Sequence, residues 1–236
     1  MKILSIVPEV KDITTSAMVA HMKMCLSPGV QLVHRSVETG PEVVESEYDM
    51  AFAIPDLIAQ CVQAEKDGFD GIFINCCGDP GVRAIRECVD IPVIGGTEAA
   101  TYLGLCCADR IGIVTILPNV VPSLHKSIAV AGLQDRIVSV RCVEVYLQKL
   151  ADSGIPFADF LQECIKAIEQ DGVEALIIGC TAMFETADRL QQALSERGYD
   201  VPVLDPAQCG PALLETLIRL QVKASRITYM RPPCLK

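Results

Sequence analysis

The chain has 236 residues, 50% of them hydrophobic, and a formal net charge of −10 at pH 7. This length and hydropathy allow one large domain or two small ones with a sizeable core. The negative charge repels phosphate backbones and anionic lipids, so neither nucleic acid nor a membrane surface is expected as a partner. Every apolar run is interrupted before the roughly 20 residues that a membrane helix needs. We therefore expect a cytoplasmic protein.

Twelve cysteines are spread along the chain. Cys61, Cys88 and Cys164 lie at apolar, helix-like positions, where cysteine acts as a small buried hydrophobe. No two cysteines have the C-x-x-C spacing of structural zinc sites, so no metal ion is expected. The adjacent pairs Cys76-Cys77 and Cys106-Cys107 keep one alternative of a different class open, a thiol redox or metal-binding module.

Short β-branched runs alternate with helix-length amphipathic segments. "KILSIV" predicts a strand, and residues 14 to 16 offer caps for the helix that follows. "VQLVHRSV" predicts the second strand, Asp49 to Lys66 a helix, and "FDGIFIN" and "IPVIGG" the third and fourth strands. Apolar strands separated by helices indicate an α/β fold with a parallel sheet covered on both faces. Ligands bind such sheets beyond the carboxyl ends of the strands.

The second half of the chain repeats this order. "RIGIVT" matches "KILSIV", "CIKAIEQDGVEALIIGC" matches "CVQAEKDGFDGIFINC", and "VPVLD" matches "IPVIG". Asp67 precedes Cys76 by nine positions, as Asp171 precedes Cys180, so the two cysteines are equivalent. We predict two related α/β units. If they face each other about a pseudo-twofold axis, the two thiols converge on one cleft from opposite sides.

Two thiols on opposite faces of a small molecule suit the inversion of a carbon that bears an acidic hydrogen. One thiolate removes the proton from one face, and the other thiol delivers a proton to the opposite face. Because the ordinary pKa of cysteine is about 8.5, forming the thiolate at neutral pH costs only about 2 kcal/mol. A helix N-terminus just after each strand would favour the thiolate and hold the enolate oxygen. Pro80 fits such a helix start.

The motif "CGDPGVRAIREC", with "YDMAFAIPDLI" upstream and "GGTEAA" and "IIGCTAM" downstream, resembles the hydantoin racemases of the aspartate/glutamate racemase superfamily. The resemblance runs from Lys2 to about Leu220. It implies a cofactor-independent isomerase of two pseudo-symmetric flavodoxin-like lobes with the active site between them. The helix at about 207–222 would return to the first lobe, so we place that lobe at 1–98 plus 206–236 and the second at 99–205. We also expect a homo-oligomer that acts on a small-molecule substrate.

The same resemblance implies roles for individual residues. Cys76 and Cys180 would be the two acid/base residues. The expected substrate-binding residues, all near strand ends or in the loop after the first strand, are Gly78, Asp79, Thr115, Thr181, Pro8 and Thr14.

Several polar residues also have purely structural interpretations. Asp79 suits a helix cap as well as a substrate contact. Glu98, next to Gly95-Gly96, is interpreted as a cap of the next helix, and Arg83 and Arg86 as a solvated helix face. His34 matches no nucleophile or metal pattern and is interpreted as a surface or core histidine. The basic tail "RITYMRPPCLK" is expected to pack on the surface or on another subunit.

The substrate remains open at this stage. Hydantoin racemases usually carry Asn-Pro-Asn-Thr after the first strand, where this chain has "VPEVKDITT". That segment has two acids and no glycine, which disfavours the free carboxylate of aspartate or glutamate, although the threonines at the helix start can hold one. The first expectation is a 5-substituted hydantoin or allantoin. An aspartate/glutamate racemase and a maleate-type isomerase are the alternatives.

Overall fold

The protein is described here by a computed structural model that covers residues 1–146 and 155–233. Contacts divide the chain into two compact units. The first unit contains Met1–Val44, Tyr48–Ala99 and Ala207–Lys236, and the second contains Glu45–Glu47 and Ala100–Pro206. Among the described residues, none of the helices is long and apolar enough to cross a membrane.

Strands and helices alternate in both units. The strands are β1 (Lys2–Val7), β2 (Gln31–Ser36), β3 (Gly71–Ile74), β4 (Val93–Gly95), β5 (Ile111–Thr115), β6 (Ile137–Cys142), β7 (Ala175–Ile178) and β8 (Val203–Leu204). The helices are α1 (Ser16–Lys23), α2 (Glu47–Lys66), α3 (Val82–Cys88), α4 (Gly96–Gly104), α5 (Val121–Ala131), α6 (Phe157–Asp171), α7 (Thr186–Ser195) and α8 (Pro206–Arg219). A short 3-10 turn, Pro118–Val120, precedes α5.

The first unit contains a parallel sheet of order β2-β1-β3-β4. All four residues of β3 are buried, and successive side chains leave opposite faces. Ile72 and Ile74 join a cluster with Leu57 of α2, whereas Phe73 joins a cluster with Leu214 of α8. Helices therefore cover both faces, which explains why the strand is apolar throughout.

The second unit contains a parallel sheet of order β6-β5-β7-β8, the same arrangement as in the first unit. β5 and β7 are buried along their whole length, as β3 is. The predicted α/β class is confirmed: two related flavodoxin-like units each have a central parallel sheet flanked by helices.

Local signals explain several of the observed boundaries. Thr15 caps α1, because its Oγ1 accepts a hydrogen bond from the Met18 amide at 3.2 Å. The fourth strand is shorter than "IPVIGG", since α4 begins at Gly96. The basic tail packs on its own unit, where Arg226 donates to the backbone carbonyls of Arg86 and Glu87 at 2.9 and 3.2 Å. Its last three residues, 234–236, lie outside the described range.

Candidate functional site

Equivalent positions at the carboxyl ends of β3 and β7 carry the two predicted thiols. Cys76 lies two residues beyond the end of β3, and Cys180 lies two residues beyond the end of β7. Both are half-buried. By contrast, Cys61 and Cys164 are buried in helices, and burial raises the pKa of each of these thiols. A helix-core thiol of this kind is inert, whereas a half-buried strand-end thiol can meet a ligand.

The backbone around the two cysteines follows the same hydrogen-bond pattern. The residue before each cysteine donates to the neighbouring central strand: Asn75 to the Ile6 carbonyl and Gly179 to that of Val114, both at 2.8 Å. The Cys76 carbonyl accepts from the Asp79 amide at 3.1 Å, and the Cys180 carbonyl accepts from the equivalent amide three residues on at 3.2 Å. The predicted register between the two repeats therefore extends to the turns that hold the thiols.

A turn separates each cysteine from the next helix. Gly81 and Glu185, each five residues after its cysteine, have φ angles of 69° and 60° and directly precede α3 and α7. The expectation of a helix N-terminus just after each strand is therefore wrong, and Pro80 lies in the turn rather than in the first helical turn. In both turns, a left-handed residue directly precedes the helix.

Gly78 provides the N–H group that reaches the first thiol. Its amide donates to the Cys76 Sγ at 3.4 Å. A Cβ on Gly78 would lie 2.4 Å from the Met50 Sδ, so a larger residue here would displace the Met50 side chain. An N–H directed at sulfur favours the thiolate over the thiol.

Asp79 caps a helix, but the helix is α4 rather than α3. Its carboxylate oxygens accept from the amides of Thr97 and Glu98 at 3.1 and 2.8 Å. A Cβ at Gly95 would lie 2.1 Å from the Asp79 Oδ1, so glycine is needed for this approach. Asp79 itself has a φ of 47°, a left-handed conformation that aspartate tolerates better than most residues. The Cys76 turn is thereby fixed to the first turn of α4.

The electrostatics of Asp79 follow from this position. Burial raises the pKa of its carboxyl to about 8, and the negative charge of Glu98 adds to the effect. The amide donors of Glu98 and Thr97 and the charge of Arg86 act in the opposite direction. Asp79 therefore changes its charge close to neutral pH.

The interpretation of Arg86 as part of a solvated face needs correction. Glu98 forms an ion pair with Arg86, with 2.5 Å between Nη2 and Oε2, and the side chain of Asp79 accepts from the amides in the first turn of α4. The Arg86 side chain is only 13% exposed, so it does not belong to a solvated face, whereas Arg83 is exposed. The i to i+3 spacing of the two arginines could not separate them: Tyr229 of the tail contacts both, and it is the ion pair with Glu98 of α4 that sets Arg86 apart.

The loop between β1 and α1 contains the two remaining predicted substrate-binding residues of the first unit, Pro8 and Thr14. Pro8 is buried, and Thr14 is half-buried with its amide donating to Asp12 Oδ1 at 2.8 Å. Asp12 Oδ2 accepts from His34 Nε2 at 3.0 Å, and His34 Nδ1 lies 3.2 Å from the buried Ser5 Oγ. His34 thus braces this loop against the sheet. Sequence reasoning missed it, because only the register of β1 with β2 places His34 beside Ser5.

In the second unit, Thr115 supports the strand end next to Cys180. Its side chain is 1% exposed, and its hydroxyl donates to the Gly179 carbonyl at 3.0 Å. A Cβ on Gly179 would lie 2.6 Å from the Thr115 Cβ, which explains why the chain has glycine there. Thr181, directly after the thiol, is half-buried. Contacts of Thr115 and Thr181 with a substrate remain predictions.

Comparison with known proteins identifies the family. Residues 3–214 match the profile of the family described as Asp/Glu/Hydantoin racemase. The chain belongs to this family. It is 34% identical to a hydantoin racemase of Pseudomonas sp. (strain NS671), covering 98% of this chain and 92% of that protein, and 30% identical to one of Paenarthrobacter aurescens, covering 98% of each. The predicted enzyme class, isomerase, is confirmed by this Asp/Glu/hydantoin racemase membership.

A solved structure with the same fold supports the family assignment. The allantoin racemase from Klebsiella pneumoniae is 28% identical, with a TM-score of 0.90 over 98% of this chain and 94% of that chain. Within residues 1–146 and 155–233 of this racemase-family chain, no group of three His, Cys, Asp or Glu residues is arranged to hold a metal ion.

The paired left-handed positions predict opposite stability effects. Gly81→Ala should lower the free energy of unfolding by about 1 kcal/mol, because alanine is strained at this φ. Glu185→Gly should raise it by a smaller amount, since the greater freedom of glycine in the unfolded chain offsets part of the relieved strain. Urea unfolding followed by circular dichroism measures both changes, and shifts of the same sign would contradict the assignment.

Asp79 predicts a pH-dependent stability. Because its folded pKa of about 8 lies above its ordinary value of 3.8, the folded state keeps a proton that the unfolded state releases. The stability contribution is therefore complete below about pH 4 and is lost as the pH rises through about 8. Urea unfolding gives the free energy of unfolding at about pH 5 and about pH 8. Its decrease between these two pH values should be at least about 1 kcal/mol smaller in Asp79→Asn than in the wild type. An equal decrease in the free energy of unfolding in the two proteins would refute the raised pKa of Asp79.

Proposed function

We propose that this protein is a cofactor-independent racemase that inverts an acidic C–H stereocentre in a hydantoin-like ring, either a 5-substituted hydantoin or allantoin. Family membership over residues 3–214 supports racemase chemistry, and the hydantoin and allantoin racemases among its relatives support a ring substrate. The observation that carries the proposal is the pair of half-buried thiols, Cys76 and Cys180, at equivalent strand ends within the same backbone pattern.

In the proposed mechanism, the two thiols act on opposite faces of one carbon. The Cys76 thiolate takes the proton, the electron pair of the C–H bond moves into the adjacent carbonyl, and a planar enolate forms. The Cys180 thiol then donates its proton to the other face, which leaves a Cys76 thiol and a Cys180 thiolate. That enzyme form converts the opposite enantiomer by the reverse path, so no cofactor takes part. The Gly78 amide at 3.4 Å from the Cys76 Sγ supports the thiolate form.

Charges in the loop after β1 favour a ring over a free amino acid. Glu9 is buried and accepts from the Val44 amide at 3.3 Å, and Asp12 is held by Thr14 and His34. An α-carboxylate at this loop would meet two carboxylates, whose repulsion weakens binding. A hydantoin ring avoids this repulsion, and its C–H is intrinsically more acidic than that of an amino-acid zwitterion.

A deuterium-exchange panel tests the reaction and the substrate class together. Single enantiomers of 5-substituted hydantoins, allantoin, aspartate and glutamate, and in a separate sample maleate, are incubated with the protein in D2O, followed by chiral chromatography and mass spectrometry. We expect inversion with one deuterium gained at the stereocentre for a ring substrate. Exchange of the amino acids alone would establish the amino-acid alternative, and maleate turnover to fumarate would establish the isomerase alternative. The absence of deuterium in every substrate would end the racemase proposal.

Single thiol variants test the two-base mechanism. Cys76→Ser and Cys180→Ser should each lower kcat for racemisation by about a hundredfold or more, because the serine hydroxyl is a far weaker acid than a thiol. Circular dichroism should show an unchanged fold. Cys106→Ser, at an exposed cysteine near the end of α4, is the matched control and should retain wild-type kcat. Substantial turnover in both strand-end variants would contradict a mechanism that needs both thiols.

A further inference from the structure

An ion pair of low exposure connects the helix after Cys76 to the helix that Asp79 caps. Arg86 Nη1 and Nη2 donate to the two carboxylate oxygens of Glu98 at 2.9 and 2.5 Å, and the two side chains are 13% and 19% exposed. Arg86 Nε and Nη2 also donate to the Val93 carbonyl at 3.1 and 2.8 Å. One guanidinium therefore joins α3, β4 and α4.

The first turn of α4 in turn holds the Cys76 turn. The Glu98 amide donates to Asp79 Oδ2 at 2.8 Å, and the Thr97 hydroxyl donates to the Cys77 carbonyl at 2.7 Å. The Asp79 amide closes the turn on the Cys76 carbonyl. Cys77 and Asp79 are thus bonded directly to α4, and Cys76 is bonded to it through Asp79, so a shift of that helix end would be passed to the thiol-bearing turn.

Residues 225–231, which we call the C-terminal clasp, cover the ion pair. The Tyr229 hydroxyl accepts from Arg86 Nη1 at 3.3 Å, and its ring centroid lies 5.6 Å from the Arg86 Cζ. Arg226 donates to the Arg86 carbonyl at 2.9 Å and pairs with Asp90 at 2.5 Å. The clasp keeps water from much of the guanidinium, which strengthens the interaction between Arg86 and Glu98.

The second unit has apolar residues at the equivalent positions. In the register that equates Cys76 with Cys180, Met183 corresponds to Asp79 and Leu190 corresponds to Arg86. Both are buried, at 3% and 0% exposure. An ion pair is therefore not required to build this turn, since the second unit forms it with apolar side chains at both positions.

We propose that Arg86, held by the C-terminal clasp, is a positioning residue for Cys76: it neutralises Glu98 and fixes the first turn of α4 against the thiol-bearing turn. The inference rests on the role of Cys76 in the proposed function. Without the guanidinium, the charge of Glu98 would stand uncompensated beside Asp79 and the Cys76 turn. Additional negative charge near a thiol disfavours the thiolate, so the base form of Cys76 would become harder to reach.

Thiol alkylation measures this effect without any substrate. Because the thiolate is the reactive form, the rate of iodoacetamide labelling against pH reports the ionisation of each cysteine. Peptide mass spectrometry follows Cys76 and, as an internal reference in the other unit, Cys180. In Arg86→Gln, we expect the Cys76 profile to move to higher pH by about one unit, which is about tenfold slower labelling at a fixed lower pH, with the Cys180 profile unchanged.

Three further variants separate the charge effect from a general loss of structure. Arg86→Gln combined with Glu98→Gln removes both charges and should return the Cys76 profile to near the wild-type position. Arg86→Lys keeps the charge and should give a smaller shift than Arg86→Gln. Ile227→Ala, at a clasp side chain that is 89% exposed, is the matched control and should leave both profiles unchanged.

Two results would overturn the proposal. One is a pH profile of Cys76 labelling that is the same in Arg86→Gln as in the wild type. The other is a joint shift of the Cys76 and Cys180 profiles, which indicates general loosening. If Arg86→Gln does not fold, Glu98→Gln tests the proposal instead. Removing the acid while the arginine remains should move the Cys76 labelling profile to lower pH. An unchanged profile in that variant would refute the positioning role of Arg86.

Racemisation assays on the same variants keep this inference distinct from the proposed function. In Arg86→Gln, kcat should fall by about tenfold while KM stays within about twofold, since the thiolate rather than substrate binding is affected. A wild-type protein that racemises nothing would refute the proposed function, while the alkylation profiles would still decide the role of Arg86. Normal wild-type racemisation with an unmoved Cys76 profile would refute only the role of Arg86.

Discussion

The last parallel hydrogen bond at the end of each central strand determines where the thiols lie. Asn75 and Gly179 donate to the adjacent strands at 2.8 Å, and beyond this bond the chain leaves the sheet within one residue. Because the strands before these bonds are buried on both faces, a one-residue slip would exchange side chains between two close-packed faces and disrupt the packing of both. Cys76 and Cys180 are therefore held by the cores of their own units, and the surrounding turns adjust only their immediate environment.

Those turns share their closing hydrogen bond and a left-handed residue before the helix, but they differ in chemistry. The first uses Gly81 as its left-handed residue and adds a carboxylate, Asp79, that is bound to α4, whereas the second uses Glu185 and packs an apolar residue in place of the carboxylate. In a two-thiol racemase, each cysteine must act as acid and as base. Because two enantiomers have equal free energy, unequal thiols do not favour either product; they determine which thiol carries the proton in the free enzyme.

The order of elements and the equivalence of Cys76 with Cys180 could be predicted, because both follow from local patterns: apolar runs, helix periodicity and a fixed count from each Asp-Gly pair. The pairings of side chains could not. Asp79 with Thr97, Arg86 with Glu98 and His34 with Asp12 join residues 18, 12 and 22 positions apart. Each depends on the packing of one element against another, which no local pattern specifies.

Side-chain pairings of this kind also determine the charges in the loop after β1. Read alone, "VPEVKDITT" is a polar loop with two acids, but in the fold one acid is buried and bonded to the Val44 amide, and the other is tied to His34. Both carboxylates therefore fix the shape of the loop and also supply the negative field that a ligand there encounters. Under the proposed function, in which the thiols act on an acidic C–H next to a carbonyl, two carboxylates in this loop suit a neutral cyclic imide better than an anion. Under that proposal, recognition rests on the shape of the loop and on the charges of Glu9 and Asp12 rather than on binding of a carboxylate.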